Sequence, residues 1–283
     1  MKHRLTETLP KPVVWALIGI FAGSCGGDLP TEPEYNNPLD PDSPRGTYIA
    51  PETSILSGPA EGEVVDNHSV TFTWSGNERV TEFSYRLSSG EWSPWSAAIT
   101  VNIGPLDEGA YIFEVKGRYA TGDEDDTPES RSFTIDDIQG PALWLSPRRI
   151  EVATGNEFTL SLMAEEVTDL KALLAVIEFD PAAVELANWQ LFDQAGQFLT
   201  QHNASVIALV DSALTSGSIG FNLALVGGEQ LGVDGSGIIL NLLLRKTAAG
   251  NTQITLGAGS RMIDSDLAEI TLTELAPAEV VAP

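Results

Sequence analysis

Two β-sandwiches in succession, an all-β fold, are predicted by three features of this 283-residue chain. Apolar and polar residues alternate at period two over many short segments. Clusters of Gly, Ser, Asn, Asp and Pro punctuate those segments roughly every ten residues. Helical spacing is nearly absent, with a single helical turn expected at residues 181–186, where Pro181 stands at its start. With 42% hydrophobic and 19% charged residues the chain has the composition of a folded protein, and its length suits about two domains.

The first element is an export signal. Lys2, His3, Arg4 and Lys11 make a basic start, residues 13–21 form an apolar run, and Ala22-Gly23-Ser24 supply the small side chains that a signal peptidase needs. The run is too short to span a bilayer, so residues 1–24 are expected to be removed. Ala22-Gly23-Ser24-Cys25-Gly26 resembles the lipobox of bacterial lipoproteins, which implies that Cys25 is lipidated and becomes the new N-terminus. The alternative is an ordinary signal peptide with an incidental cysteine. Gly26, standing where Asp favours inner-membrane retention in some bacteria, fits the outer membrane or cell surface. Cys25 is the only cysteine, so no disulfide forms within the chain and packed cores must carry its stability.

Residues 25–51 are rich in Pro, Asp, Glu, Asn and Gly, a composition that builds no core and favours extended backbone, and they are read as a disordered tether. Residues 52–137 then give alternating strands. Val70, Phe72 and Trp74 share one face, residues 83–87 alternate again, and Tyr111, Phe113 and Val115 line one side of a longer strand before Phe133 and Ile135 close the unit. The order of Trp74, Tyr85, Trp92, the stretch Leu106-Asp107-Glu108-Gly109-Ala110-Tyr111 and Phe133-Thr134-Ile135-Asp136 resembles immunoglobulin-like and fibronectin-III-like modules, which implies a spacer. Turn-rich residues 136–141 mark the domain boundary as a hinge.

Residues 142–276 are strand-like again, with a short tail at 277–283. Residues 158–163, 173–179, 206–210, 218–226, 237–245 and 253–256 supply strands of a nine-stranded jelly-roll sandwich. This domain resembles a cohesin module. The resemblance is carried by Gly155-Asn156-Glu157-Phe158-Thr159-Leu160, by the run from Ala175 through Phe179-Asp180-Pro181 to Val184-Glu185-Leu186, by residues 233–245, and by Ile254-Thr255-Leu256 with Asp264-Ser265-Asp266. It implies a jelly-roll fold, docking of a dockerin-bearing partner on a sheet face, and a part in polysaccharide breakdown through recruitment. Any calcium is then expected on the dockerin partner. Cellulose-binding sandwiches share part of the pattern.

Alternation sharpens the expected face. Ala175, Ile177 and Phe179 point one way, so Leu174, Val176 and Glu178 point the other; Leu240, Leu242 and Leu244 likewise oppose Ile239, Asn241, Leu243 and Arg245. These seven outward residues are the predicted partner-binding set, an apolar centre with a polar rim. A neighbouring loop or domain covering them is the alternative. Trp92 and Trp95 are a second candidate, either a platform for a sugar ring or a cover for the edge of a core.

Catalytic chemistry finds little support. His68 and His202 have no second histidine at metal-ligand spacing, no Gly-x-Ser-x-Gly elbow occurs, and the chain is not expected to be an enzyme. Gly122-Asp123-Glu124-Asp125-Asp126 is either a calcium loop or, lacking EF-hand spacing, a solvated acidic turn. A net charge of −25 excludes nucleic acid and leaves any membrane attachment to the lipid.

Overall fold

The computed structural model describes Leu39, Asp42 and residues 48–213, 216–227 and 232–283. The expected signal peptide, Cys25 and almost all of the expected tether lie outside these residues. By contacts the chain divides into Met1–Ile49 and Ala50–Pro283, and the second unit holds both sandwiches.

Seven strands build the first sandwich: β1 (Thr53–Ser57), β2 (Glu63–Val65), β3 (Val70–Gly76), β4 (Val80–Leu87), β5 (Thr100–Ile103), β6 (Gly109–Tyr119) and β7 (Glu129–Ile135). They form two sheets, ordered β1-β3-β5 and β2-β7-β6-β4. The period-two pattern decides which side is buried. Val70, Phe72 and Trp74 face Phe83, Phe113, Val115, Phe133 and Ile135 across one core. Phe72 and Phe113 stack with centroids 3.9 Å apart and fasten the two sheets. The Tyr111 hydroxyl donates to the Asp107 carbonyl at 3.0 Å, tying β6 to the loop that enters it.

Twelve strands follow where nine were expected: β8 (Ala142–Ser146), β9 (Arg149–Glu151), β10 (Glu157–Phe179), β11 (Val184–Leu191), β12 (Ser205–Ala213), β13 (Ser218–Val226), β14 (Val233–Lys246), β15 (Thr252–Leu256), β16 (Arg261–Asp264), β17 (Glu269–Ile270), β18 (Glu274–Ala276) and β19 (Ala278–Val281). The extra strands are mostly short segments that bridge longer ones. The helical turn expected after Pro181 is one turn long, closed by Val184 N–H on the Asp180 carbonyl at 2.9 Å, before β11 begins. Residues 277–283 are not a tail. Ala278, Val280 and Val281 are buried, because β19 pairs with β15 on one side and β9 on the other.

The 23-residue β10 organises this sandwich. Its first half pairs with β14 and β8, and its second half with β13, β15 and β16. Between the halves the ladder breaks, and Glu166 and Asp169 take φ of 47° and 57°. Left-handed backbone costs a non-glycine residue about 1–2 kcal/mol, so the crossing must be held. Asp169 does most of this. Its Oδ1 accepts from Gly232 N at 2.7 Å, its Oδ2 accepts from Ser265, and its own N–H donates to Asp234. A side chain at Gly232 would sit 2.2 Å from the Asp169 carbonyl carbon, so the approach requires glycine. The hydrogen bonds from Ser265 and Gly232 hold the Asp169 carboxyl below the usual aspartate range.

Lys246 ends β14 wholly inside the protein. Its Nζ donates to the carbonyls of Val152 and Val281, both at 3.0 Å, and so joins the strand β19 to the turn after β9. The expected hinge is also closed. Glu108 accepts from the backbone N–H of Asp137 and Ile138, Asp107 accepts from Ser146 Oγ and Arg148 N, and Asp137 binds both Arg148 and His68. Ile138 is fully buried with Ala142, Trp144 and Ala276. A segment rich in turn residues thus became a locked joint because its neighbours on both sides supply acceptors for its N–H groups.

Replacing Lys246 with Met removes two buried hydrogen bonds: the Val152 carbonyl loses its Lys246 donor, and the Val281 carbonyl keeps only the Val152 N–H. Urea unfolding of this variant should show a loss on the order of 3 kcal/mol. Burial alone would raise the Asp137 carboxyl, but hydrogen bonds from Arg148 and His68 outweigh it and hold the group below its ordinary value. The unfolded chain therefore takes up that proton first, and stability present above about pH 4 is lost as pH falls through the folded value. Thermal midpoints measured against pH should fall on this acid limb, and Asp137→Asn should flatten it.

Candidate protein-docking face

The predicted face is divided by the crossing of β10. Leu174, Val176 and Glu178 lie on the outer side of its second half, while Leu173, Ala175, Ile177 and Phe179 turn inward. Asn241, Leu243 and Arg245 lie on the outer side of β14, which pairs only with the first half. Since the inward rows of both strands meet in one core, the two outward rows look in opposite directions. Ile239 belongs to neither. It is fully buried, because the ladder steps from Leu162 opposite Leu240 to Met163 opposite Ile238, and the bulge turns Ile239 into the core beside Leu240.

The two outer surfaces differ in chemistry. On the β14 side, Asn241 receives a hydrogen bond from Ser161 at 2.8 Å, and Arg245 sits between Glu157 and Glu185. The hydrogen bond to Glu157 raises the Arg245 pKa. This is a solvated polar surface. On the other side, β12, β13, β10 and β16 present a shallow apolar depression of about 240 Å³. Leu174 faces Asn222 on β13 and Arg261 on β16, and Ala172 faces Ala224 and Ile263. Ile207 and Leu209 on β12 extend the patch and are 52% and 68% exposed. Glu178, Asp211, Glu269 and Arg261 stand around it with exposed side chains. Ile207 and Leu209 are absent from the predicted set because residues 206–210 are five consecutive apolar residues, and such a run reveals a strand without revealing which side is wet.

Trp92 and Trp95 lie on the first sandwich, and cations already stand over both rings. Arg86 and Lys116 sit 4.6 and 4.9 Å from the Trp92 centroid; Lys116 and Arg118 sit 5.3 and 4.4 Å from that of Trp95. Each cation is in turn paired, Arg86 with Glu114, Lys116 with Glu124 and Arg118 with Glu82. The ladder pins the 88–98 loop to the sheet and occupies surfaces on which a sugar ring would stack. Glu124 is thereby engaged, and Asp125, 3% exposed, accepts from the N–H and hydroxyl of Thr127. Among the described residues no group of three His, Cys, Asp or Glu side chains is placed to hold a metal ion.

No family model matches this sequence, and no curated protein does. Solved structures with similarity to it include a non-cellulosomal cohesin from Archaeoglobus fulgidus, at 15% identity over 50% of this chain and 90% of that one, with a TM-score of 0.39. The OlpA cohesin of Clostridium thermocellum, solved with dockerin Doc918, has 15% identity over 50% of this chain and 98% of its own, with a TM-score of 0.40. The sixth cohesin of scaffoldin B from Acetivibrio cellulolyticus, in complex with a Cel5 dockerin mutant, has 14% identity over 51% and 100%, with a TM-score of 0.41. These three similar structures are cohesin domains, each matched over about half of this chain.

Trp95→Ala removes one rung of the ladder. The expected loss is about 1–2 kcal/mol in a denaturant titration, with retention on insoluble polysaccharide left unchanged.

Proposed function

We propose that this chain is an envelope display protein that recruits a dockerin-bearing partner through the β12-β13-β10-β16 face. One observation carries the reading: an exposed apolar centre with a polar rim, on a domain whose sequence motifs resemble those of cohesin modules. Ala172 and Leu174 form the centre, with Val176 next along the same row of β10, Ile207 and Leu209 form one flank, and Arg261 supplies a cation for a partner carboxylate or carbonyl. The carboxylates of Glu178, Asp211 and Glu269, with a net charge of −25 behind them, favour a partner that carries basic groups around an apolar ridge.

In this reading lipidated Cys25 fixes the chain to the outer membrane or cell surface, and residues 25–51 form the tether. The first sandwich, read as immunoglobulin- or fibronectin-III-like from its sequence, holds the docking domain away from the membrane. The link to polysaccharide breakdown is recruitment of enzymes, not catalysis, and calcium belongs to the partner's loops. The rival reading, a carbohydrate-binding envelope lipoprotein without such a partner, relies on Trp92 and Trp95, whose rings are already engaged by cations.

Pull-down with calcium-loaded dockerins tests the face. Leu174→Asp should weaken capture by roughly thirtyfold or more, whereas Leu243→Asp, on the opposite side, should leave it intact. Equal loss in both variants, or in neither, would sink the assignment. The anchor has its own test: fractionation of cells carrying Cys25→Ala should move the protein from the membrane to the soluble fraction with both sandwiches folded.

A further inference from the structure

We infer that the free edge of β12 is a self-association site, where a second copy of this chain adds its own β12 in antiparallel register. Among the described residues β12 pairs with β13 alone. Its other edge presents a row of backbone donors and acceptors over nine residues without proline or lysine. The strand is apolar on both sides at that edge. Ile207 and Leu209 are 52% and 68% exposed on the outer side, and Val210, whose alternation points it toward the core side, is still 37% exposed. A partner lying on one face of the sheet covers Ile207 and Leu209 but not Val210. A strand added at the edge lies beside all three.

The strand itself selects the occupant. Residues 26–51 of the same chain cannot serve, because Pro30, Pro33, Pro38, Pro41, Pro44 and Pro51 interrupt any ladder long enough to match nine residues. A second β12 matches without modification. In the two-fold register centred on Ala208, Ile207 faces the partner's Leu209, Val206 faces the partner's Val210, and the small Ala208 meets its own copy at the axis. Asp211 then faces the partner's Ser205, so the only charged residue of the strand avoids its symmetry mate. Moving the centre to Leu209 sets Ile207 against the partner's Asp211 and loses this match. A two-fold axis between antiparallel strands is normal to the sheet, so the sheet continues from one copy to the other with both outer faces on the same side. Paired copies would therefore present two docking faces side by side, although the inference rests on the edge and not on the docking reading.

Analytical ultracentrifugation of the full chain carrying Cys25→Ser, which removes the one thiol, tests it. A reversible monomer–dimer equilibrium is expected. Leu209→Lys should weaken it by about a hundredfold, since a two-fold interface contains each substitution twice. Ser205→Lys should tighten it severalfold at low salt, because the new ammonium faces the partner's Asp211 only in the Ala208-centred register. Both positions are already exposed, and circular dichroism checks that the variants fold. A monomer at every concentration overturns the inference. So does a dimer that neither variant alters, or one that Leu174→Asp disrupts while Leu209→Lys does not; the last result assigns association to the face, and dockerin capture is scored separately.

Discussion

The crossing of β10 from one layer to the other is the constraint on which the second sandwich depends. A single 23-residue strand supplies a central strand to both layers, so the relative position of the two sheets is fixed by four residues in its middle. Asp169 carries the largest share. Its carboxylate takes hydrogen bonds from two different strand connections while its backbone stands in the left-handed region. Local strain is thus held by contacts that reach Gly232 and Ser265, more than sixty residues away in the chain. Each layer's inward row then meets the other, and outward rows are forced apart. The apolar outer surface and the polar one therefore lie on opposite sides of the sandwich.

Much of this architecture is legible in the sequence, and the reason is the strictness of period two. Val70, Phe72 and Trp74, or Leu173, Ala175 and Ile177, sort themselves into core rows by parity alone. What parity cannot give is which strands share a layer. Leu174 and Leu243 both read as outward, and both are; they look in opposite directions because β10 changes layers between their pairing partners. Bulges defeat parity outright, as at Ile239, where one extra residue in β14 sends two neighbours inward together. A run without polar residues, such as 206–210, carries no parity at all, and so the most exposed apolar residues of the face are the ones the sequence hides.

The remaining departures have one cause: polar groups whose partners lie far away in sequence. Residues 136–141 look like a hinge because they are rich in turn formers, but Asp107 and Glu108 meet them from the preceding sandwich. Residues 277–283 look like a tail because so short a segment cannot make a core; Lys246 and strands β9 and β15 make a place for it. Trp92 and Trp95 read equally as a sugar platform or as the cover of a core edge, and the cations Arg86, Lys116 and Arg118 above their rings come from strands that sequence spacing does not place beside them. In each case the composition is local and the outcome is set by a long-range contact.

The closed joint bears on how a load would travel through the molecule. A pull exerted on the outer face of β10 and β13 meets, at residues 136–148, carboxylates that grip backbone N–H groups and an arginine from both sides, with a small apolar core beneath. Such a joint does not swivel under a sideways force; it passes the force on as a bending moment to the first sandwich. The two sandwiches then act as one lever arm, and a load applied to the second reaches the first without a swivel between them.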